Sequence, residues 1–432
     1  MAPMWRNWAG NQSMAPAAVA HPRSVDEVSQ LVKQAAAAGR RVKAIGNGHS
    51  FTAIGLTDGV LVQLDRLDRL DRLVEADAAT GRVVVQGGLP LRRLNALLAE
   101  RGLGLTNLGD IDVQTVAGAI STGTHGTGRD SGALATQVVE LEIVLADGSV
   151  VQCSADEQPE LFSAARVSLG ALGVVTAVTL QAEPAFLLTA NERPMPMDEV
   201  LERFDEHVAA NEHFELYWFP GTRTALTKRN NRASEPAPLG RVRRLFEDEV
   251  LANGLFGLTC WAARRAPRTV PGLNRLAART MAPRIYTDVS HRVFTSPRRV
   301  RFVEMEYALP RSAVVDVLRA LRRLPQAQRV SFPIEVRVAP ADDVPLSTAY
   351  GRDTAYVAVH VFRGDPYKGY FAAVEQLMKE AGGRPHWGKL HSLTADDLRE
   401  RYPRFEEFTA LRNRLDPERR FTNAYLDRVL GA

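Results

Sequence analysis

The alternation of apolar and polar positions in the first 185 residues predicts a mixture of helices and strands. Apolar residues between Val25 and Val32 recur at the spacing of one helix face, and Ser24 is a suitable N-terminal cap for a helix over 24–39. Apolar runs at 42–45 and 138–145 predict strands. This part of the chain therefore has the pattern of an α+β domain.

The pattern changes after about residue 183. Prolines at positions 184, 194 and 196 mark a boundary, and the stretch 234–297 is rich in Arg, Ala and Pro without clean periodicity. Strands are predicted again beyond it, and helical patterns accompany them. The strands cover 300–307, 334–338 and 356–362, and the helices cover 312–324 and 367–381. We therefore expect a second α+β domain.

Two loops rich in glycine and hydroxyl residues, 46–50 and 121–128, each contain one histidine. Glycine lets a backbone approach a phosphate closely, because it reaches positive φ without a steric cost. A Rossmann fingerprint does not fit, since Phe51 follows Gly46 and Gly48 at the third glycine position. Either loop alone could be a tight turn. Together they favour a dinucleotide that is bound without a Rossmann fold.

Composition narrows the class of protein. The 432 residues are 45% hydrophobic and 24% charged, as in globular proteins. The net charge is +4, and we interpret the arginine clusters at 241–244 and 298–301 as solvated helix or strand faces, with no nucleic-acid partner. Cys153 and Cys260 form no disulfide framework, and there is no signal-peptide pattern or apolar run of 18 residues. We therefore expect a cytoplasmic protein without a membrane span.

Charged residues and histidines in the second half are candidates for chemistry. Glu335 and Arg337 lie two positions apart on a predicted strand and therefore share one face. Such a pair is often a surface salt bridge, so the spacing alone leaves function open. His360, His386 and His391 have no matching set of carboxylates or cysteines, and we expect no metal site.

Motifs spread over nearly the whole chain carry a family resemblance. They are Trp5-Arg6-Asn7-Trp8-Ala9-Gly10, Gly46-Asn47-Gly48-His49-Ser50-Phe51, Asn107-Leu108-Gly109-Asp110-Ile111-Asp112, Thr122-Gly123-Thr124-His125-Gly126-Thr127-Gly128, Phe332-Pro333-Ile334-Glu335-Val336-Arg337 and Arg384-Pro385-His386-Trp387-Gly388-Lys389. The chain resembles the aldonolactone oxidoreductases of the vanillyl-alcohol oxidase flavoprotein superfamily, which include L-gulono-1,4-lactone oxidases and dehydrogenases and D-arabinono-1,4-lactone oxidases. The glycine loops are shared with the whole superfamily, whereas the last two motifs are more specific to its sugar-oxidising branch.

The resemblance implies an architecture. The fold would be α+β, with a two-subdomain FAD-binding domain of the vanillyl-alcohol oxidase/p-cresol methylhydroxylase type (PCMH-type) and an α+β cap domain. The FAD-binding domain would comprise residues 1–185 and the substrate or cap domain residues 186–395. A C-terminal tail, 396–432, would return to the FAD-binding domain.

The resemblance also implies FAD as the cofactor, and a role for His49. In many members of the family the matching histidine is bonded through its ring to the flavin 8α-methyl group, so we expect a covalent flavin at His49. The residues expected to bind the cofactor are Ile45, Gly46, Asn47, Gly48, His49, Ser50, Gly109, Asp110, Thr115, Gly118, Ser121, Thr122, Gly123, His125, Gly126, Gly173, Val174 and Val175.

Catalytic roles follow from the same resemblance. Glu335 would position the reacting hydroxyl, and Arg337 would stabilise its oxygen as negative charge develops. Lys389 would stabilise the reduced flavin or hold a substrate oxygen. The expected substrate contacts are Asp110, His360 and His386.

The expected reaction is FAD-dependent oxidation of a sugar 1,4-lactone by hydride transfer to flavin N5, which gives an ascorbate-type product. The acceptor would be O2, giving hydrogen peroxide, or another oxidant. Related plant dehydrogenases carry an alanine where Gly109 stands, so glycine would open a route for O2. An alditol or xylitol oxidase is the alternative. The resemblance argues against it at one position, because alditol oxidases have a serine where this chain has Asp110. A flavin-storage protein is a third possibility, against which the charges at 335, 337 and 389 argue.

Overall fold

The computed structural model describes residues 4–68 and 73–432, and residues 1–3 and 69–72 lie outside the described part. The described strands, numbered in chain order, are β1 (Trp5–Arg6), β2 (Ser13–Met14), β3 (Ala18–Ala20), β4 (Val42–Ile45), β5 (Val60–Gln63), β6 (Glu75–Asp77), β7 (Arg82–Gln86), β8 (Leu103–Gly104), β9 (Val138–Val144), β10 (Val150–Ser154), β11 (Val174–Gln181), β12 (Glu183–Pro184), β13 (Leu187–Pro196), β14 (His213–Trp218), β15 (Thr224–Ala233), β16 (Arg284–Val289), β17 (Phe302–Pro310), β18 (Ile334–Ala339), β19 (Thr354–Phe362) and β20 (Arg384–Pro385).

The described α-helices are α1 (Val25–Ala37), α2 (Leu91–Ala99), α3 (Val116–Ser121), α4 (Pro159–Ala165), α5 (Met197–Glu202), α6 (Phe204–Ala209), α7 (Arg241–Leu245), α8 (Phe256–Arg265), α9 (Val270–Thr280), α10 (Ser290–Phe294), α11 (Val314–Arg323), α12 (Lys368–Glu380), α13 (Ala395–Arg399), α14 (Phe405–Leu415) and α15 (Ala424–Leu430). A π-helical segment, Phe246–Leu255, joins α7 to α8. Within the described residues no helix has the length and apolar character that crossing a membrane requires.

The N-terminal part contains two main sheets, beside the two-stranded sheets β1-β2 and β12-β8. A small parallel sheet has the order β3-β5-β4, and a five-stranded antiparallel sheet has the order β10-β9-β11-β7-β6. Helix α1 begins after Ser24, whose hydroxyl accepts a hydrogen bond from Glu27 N, and its buried Val28 and Val32 pack on the small sheet through Val42. The predicted helix and both strands are thus confirmed here.

One eight-stranded sheet dominates the second part, with the order β16-β13-β15-β14-β18-β19-β17-β20 and antiparallel pairing throughout. Strand β18 lies near its middle, between β14 and β19, and all six of its residues are buried. The charged face predicted for this strand is therefore an interior face, which a surface salt bridge does not explain.

The two parts are joined by backbone hydrogen bonds at both glycine loops. Gly128 N donates to Val338 O at 2.8 Å, and Phe51 N donates to Gly388 O at 2.7 Å. The end of the chain also packs on the N-terminal part, since the Asn423 side-chain amide donates to three backbone carbonyls between residues 53 and 56. The loops are therefore held against the face of the eight-stranded sheet.

Two stretches differ from the sequence pattern. The residues 197–211 have the sequence pattern of a single helix. The structure has two short helices there, α5 and α6, because Arg203 leaves helical geometry with φ −114° and ψ 25°. The stretch 234–297 contains helices although it shows no clean periodicity. Its π-helical turns place side chains at a wider spacing than 3.6 residues, so the usual apolar period is absent.

Candidate active site

A first cavity of about 340 Å³ lies where the first glycine loop meets α3. Gly46 leaves no room for a side chain, because a Cβ atom there would lie 2.3 Å from Thr115 Oγ1. Gly48 has a φ of +68°, and a Cβ atom there would lie 2.7 Å from the Trp5 ring. Thr115 in turn caps α3, since its hydroxyl accepts a hydrogen bond from Gly118 N. This wall of the cavity is therefore bare backbone and hydroxyl groups.

The lining of this cavity fits FAD. Bare backbone and hydroxyls are the groups that bind a pyrophosphate, and Gln114 Oε1 is a buried acceptor without a hydrogen-bond partner among the described residues. Many of the residues predicted to bind the cofactor line the cavity. They are Ile45, Gly46, Asn47, Gly48, His49, Ser50, Thr115, Gly118, Ser121, Thr122, Gly173 and Val175.

Other predicted cofactor residues lie elsewhere. Gly109, Asp110 and His125 line a second cavity. Gly126 is packed against the Leu108 carbonyl, 2.2 Å from the position of a Cβ atom, and Val174 is fully buried in the five-stranded sheet. Gly123, Gly126 and Val174 line neither cavity.

The second cavity, about 540 Å³, adjoins the first. His49, Ser50, Gln114 and Thr122 line both, so they mark the junction. The His49 ring stacks on Trp8 with 5.5 Å between centroids. Burial, together with the Lys389 ammonium, lowers the pKa of His49 to about 4. Its imidazole is therefore neutral, with a free electron pair, near pH 7.

Glu335 and Arg337 project from β18 into the second cavity. Their contact is an ion pair, and Arg337 Nη2 also lies 3.4 Å from Asp110 Oδ2. Strand β14 supports both side chains: Tyr217 Oη donates to Glu335 Oε1 at 2.8 Å, and Arg337 Nε donates to Glu215 Oε2 at 3.2 Å. These contacts hold the guanidinium and the carboxylate in fixed positions.

The pKa values of two acids beside Arg337, Glu335 and Asp110, are shifted in opposite directions. Burial raises the pKa of Glu335, and the carboxylates of Asp110 and Glu215 add to that effect, against the opposing influence of Arg337. Burial also acts to raise the pKa of Asp110, but the guanidiniums of Arg337 and Arg298 outweigh it and hold that pKa well below its usual value. Asp110 is therefore a fixed negative charge, whereas Glu335 is a stronger base than an ordinary carboxylate.

Arg298 belongs to this site, although no sequence pattern indicated it. Its Nη2 donates to Asp110 Oδ2 at 2.6 Å, and the side chain lines the second cavity from the irregular segment 295–299. The interpretation of the 298–301 cluster as a solvated helix or strand face is therefore wrong for this residue. The reason is physical: an irregular segment has no period from which the direction of a side chain can be inferred.

Lys389 also lines the second cavity and lies against two acids of β17. Its Nζ lies 2.5 Å from Glu304 Oε2 and 4.0 Å from Glu306 Oε2. Burial lowers the pKa of Lys389, but these carboxylates outweigh it and the net pKa is raised, so the ammonium is charged. His360 Nε2 lies 3.5 Å from Glu304 and 4.0 Å from Glu335, and therefore bridges the two charged walls.

His125, Glu306 and His386 form a buried cluster whose possible ligand atoms lie within 4.8 Å of one another. Three of the four imidazole nitrogens already have hydrogen-bond partners within the described residues. His125 Nδ1 is 2.9 Å from the Gly126 carbonyl, its Nε2 is 2.6 Å from Glu306, and His386 Nδ1 accepts from Gly388 N. This is a different set from the histidines weighed in the sequence, since His391 bonds to Tyr425 Oη instead.

The second cavity thus brings together the predicted catalytic and substrate residues: Glu335, Arg337, Lys389, Asp110, His360 and His386. Glu304, Glu306 and Tyr217 were not predicted from the sequence. Glu304 and Glu306 alternate along one strand, as Glu335 and Arg337 do, and that spacing was the available signal.

Comparison with known proteins gives two family matches. The model of the D-arabinono-1,4-lactone oxidase family matches residues 178–429, and that of the FAD binding domain family matches residues 16–154. The chain is similar to L-gulono-1,4-lactone dehydrogenase of Mycobacterium tuberculosis, with 46% identity over 100% of both chains. It is also similar to L-gulonolactone oxidase of Bos taurus, with 34% identity over 98% of both chains.

Solved structures share the fold. A cholesterol oxidase from Brevibacterium sterolicum superposes with a TM-score of 0.84 at 18% identity, covering 99% of this chain and 96% of that one. A solvent-stable cholesterol oxidase gives a TM-score of 0.78 at 20% identity, covering 99% and 97%. The predicted α+β architecture, with a PCMH-type FAD-binding domain and a cap, is confirmed.

Proposed function

The chain belongs to the D-arabinono-1,4-lactone oxidase family of FAD-dependent oxidoreductases, and from that premise we propose that it oxidises a sugar 1,4-lactone, such as L-gulono-, L-galactono- or D-arabinono-1,4-lactone, to an ascorbate-type product. The observation that carries the proposal is the junction at His49, where a glycine-lined cavity meets a charged one. The first would hold FAD and the second a neutral polyhydroxylated ring.

A division of labour along the chain accompanies this proposal. Residues 1–185 would bind FAD, residues 186–395 would form the cap over the substrate, and residues 396–432 would return to the FAD-binding part. The hydrogen bonds from Asn423 to the carbonyls near residues 53–56 support this last assignment.

FAD, when bound, supplies the two-electron acceptor that takes the hydride at N5. The first cavity would bind it through Gly46, Gly48, Thr115 and Gly118, whose backbone and hydroxyl groups form its wall. His49 is neutral and stands at the junction, so we assign it the covalent bond to the flavin 8α-methyl group. A neutral imidazole has the lone pair that such a bond requires.

The protein would act on the lactone mainly through Glu335 and Arg337. Glu335 accepts a hydrogen bond from the reacting hydroxyl, and its raised pKa favours taking that proton as the hydride leaves. Arg337 has a permanent charge, and its Nη2 makes no well-aligned hydrogen bond within the described residues. The same nitrogen is in ion contact with Glu335 and Asp110. A substrate oxygen held by Glu335 would therefore lie beside this guanidinium, which would stabilise negative charge on that oxygen.

The remaining charged groups would orient the ring. Lys389 lies beside His49 in the lining of the second cavity and offers a donor to a substrate oxygen or to the reduced cofactor. His360 and His386 line the same cavity, and Asp110 fixes Arg337 and Arg298 on the opposite side. An alditol oxidase is not favoured, since the matched family and relatives are named for lactones and Asp110 places a carboxylate in the cavity.

Anaerobic reduction tests the proposal directly. L-Gulono-1,4-lactone added to the FAD-loaded protein without O2 should bleach the flavin absorbance near 450 nm, as expected of a flavin that takes up two electrons. Xylitol should leave the absorbance unchanged under the same conditions. Bleaching by xylitol alone would assign the alditol function, and no bleaching by any of the three lactones would contradict the proposed substrate class.

A further inference from the structure

Exposed apolar side chains are concentrated on one helical run. Of the twelve large hydrophobic residues that are exposed in the described part of the chain, eight lie between 241 and 265. We name these eight the apolar helix face: Val242, Leu245, Phe246, Val250, Leu251, Leu255, Leu258 and Trp261, which are 41–82% exposed. The surface of a soluble protein rarely carries so many large apolar side chains close together. We therefore expect a binding partner to cover this patch.

The spacing of these residues gives a continuous stripe. Steps of three or four residues connect them in α7 and α8, and steps of five, as from Phe246 to Leu251, match the wider turns of the π-helical segment. The other side of the run packs on the protein, where Cys260 and Ala263 are buried and the Phe256 ring lies 4.8 Å from that of Phe332. The stripe is thus the outer face of an amphipathic helix.

Exposed arginines follow the stripe along the chain, at the end of α8 and through the next helix, α9. Arg265, Arg268, Arg275 and Arg279 are exposed and have no carboxylate partner within residues 4–68 and 73–432, and the Arg265 guanidinium lies 4.0 Å over the Trp261 ring. Two acids of the run are already paired with arginines: Glu247 with Arg243, and Glu249 with Arg299.

We propose that the apolar helix face, together with the four arginines that follow it along the chain, docks on the surface of an anionic lipid bilayer. Helices that lie in a membrane interface combine Leu, Phe and Trp on one side with arginines at the edge, where the guanidinium reaches the headgroups while the stem lies on apolar surface. The helical run would lie on the bilayer and not cross it.

Charge selects this partner over a second copy of the chain. Two copies that met through this face would bring their unpaired arginines together, which like-charge repulsion disfavours. Anionic headgroups would neutralise the same arginines. Phe256, on the inner side of the run, lines the second cavity, so docking would place that cavity beside the membrane.

Co-sedimentation of the full-length FAD-loaded protein with vesicles tests the proposal. Vesicles of phosphatidylglycerol mixed with phosphatidylcholine should pellet the protein, vesicles of phosphatidylcholine alone should not, and added salt should release it. The double variant L255E/L258E should reduce binding at least tenfold. The variant R275Q/R279Q should reduce it about thirtyfold, since each basic residue near an anionic surface adds to the affinity.

The matched control is V150E, which places the same charge at an exposed apolar residue of β10 outside the face, and it should bind like wild type. Flavin content and melting temperature of each variant report folding independently of binding. Equal binding to neutral and anionic vesicles would overturn the charge argument. Failure to pellet with either vesicle, or a dimer in solution that L255E/L258E dissociates, would overturn the proposal itself.

Discussion

Arg298 Nη2 donates to Asp110 Oδ2 across a separation of 188 residues along the chain, and so connects the segment 295–299 to the loop that follows Gly109. The backbone reinforces the contact, because Ser296 N donates to Asp110 O at 2.9 Å. Arg337 approaches the same carboxylate oxygen at 3.4 Å. One carboxylate thus positions two guanidiniums in the proposed lactone site, one on β18 and one on an irregular segment.

The first prediction concerns Arg298. Its hydrogen bonds to Asp110 come from Nε and Nη2, and Nη1 is not used in them, so we expect Nη1 to bind a carbonyl or hydroxyl oxygen of the lactone. We expect R298A to raise KM for the lactone about tenfold or more and to change kcat less. The variant loses a contact that is made equally with the bound substrate and with the transition state, whereas Glu335 and Arg337 remain. Steady-state kinetics on the best lactone measure this. R301A, close in sequence but outside the cavity lining, should leave KM unchanged, and an unaltered KM in R298A would contradict the role.

The second prediction concerns the pH dependence set by Glu335. Turnover requires the ionised carboxylate, so kcat should rise with pH through the pKa of Glu335, which burial raises above its usual value. Tyr217 Oη donates to this carboxylate and therefore stabilises its charged form. Y217F removes that donor, so the pKa should rise further and the acid limb of the kcat profile should move to higher pH.

The measurement is a kcat–pH profile of wild type and Y217F from pH 4 to 9, with flavin content as the check on folding. The matched control is Y367F, since Tyr367 is a tyrosine outside both cavity linings. An acid limb that stayed in place, or moved to lower pH, in Y217F would show that Glu335 does not govern it.

The sequence predicted the centre of this site better than its edges. Glu335 and Arg337 could be found because a strand has a fixed period of two, so their shared face follows from spacing and the motif supplies their role. Their burial could not be predicted, since it depends on β14 and β19 pairing on either side of β18. Arg298 has no such period, and its contact with Asp110 exists only in the folded chain.

The glycine loops show the same limit. Their spacing predicted a dinucleotide site, but not which glycines face it. Gly46 and Gly48 line the first cavity, whereas Gly126 serves packing against the Leu108 carbonyl. A side chain at any of these three positions would clash with a neighbouring residue, so each must be glycine. Only the folded structure shows which of the three glycines lines a cavity and which one packs against backbone.

The third prediction concerns covalent attachment at His49. After acid precipitation of the wild-type protein, flavin fluorescence should remain with the polypeptide. H49A should bind FAD through the first cavity but release it on precipitation, because the imidazole nitrogen is gone. H21A removes a surface histidine, hydrogen-bonded to Asp65, and should retain the flavin. Free flavin from the wild-type protein would contradict the linkage and leave the remaining site assignments intact.

The last prediction concerns the electron acceptor and Gly109. This residue lines the second cavity, and a Cβ atom there would lie 3.2 Å from Thr124 Cγ2 and 3.3 Å from the His125 carbonyl. An alanine methyl group would therefore fit after a shift of a few tenths of an ångström, and would narrow the route by which O2 reaches the flavin.

We expect G109A to slow reoxidation of the reduced enzyme by O2 about tenfold or more, as measured by stopped-flow absorbance. Anaerobic reduction by the lactone should be almost unchanged, because Glu335 and Arg337 lie on the eight-stranded sheet and not in the loop of Gly109. This half-reaction is the internal control. G369A, at an open helical position, should leave both rates unchanged. If wild type and G109A reoxidised at the same rate, oxygen access would have to be controlled by other residues of the cavity.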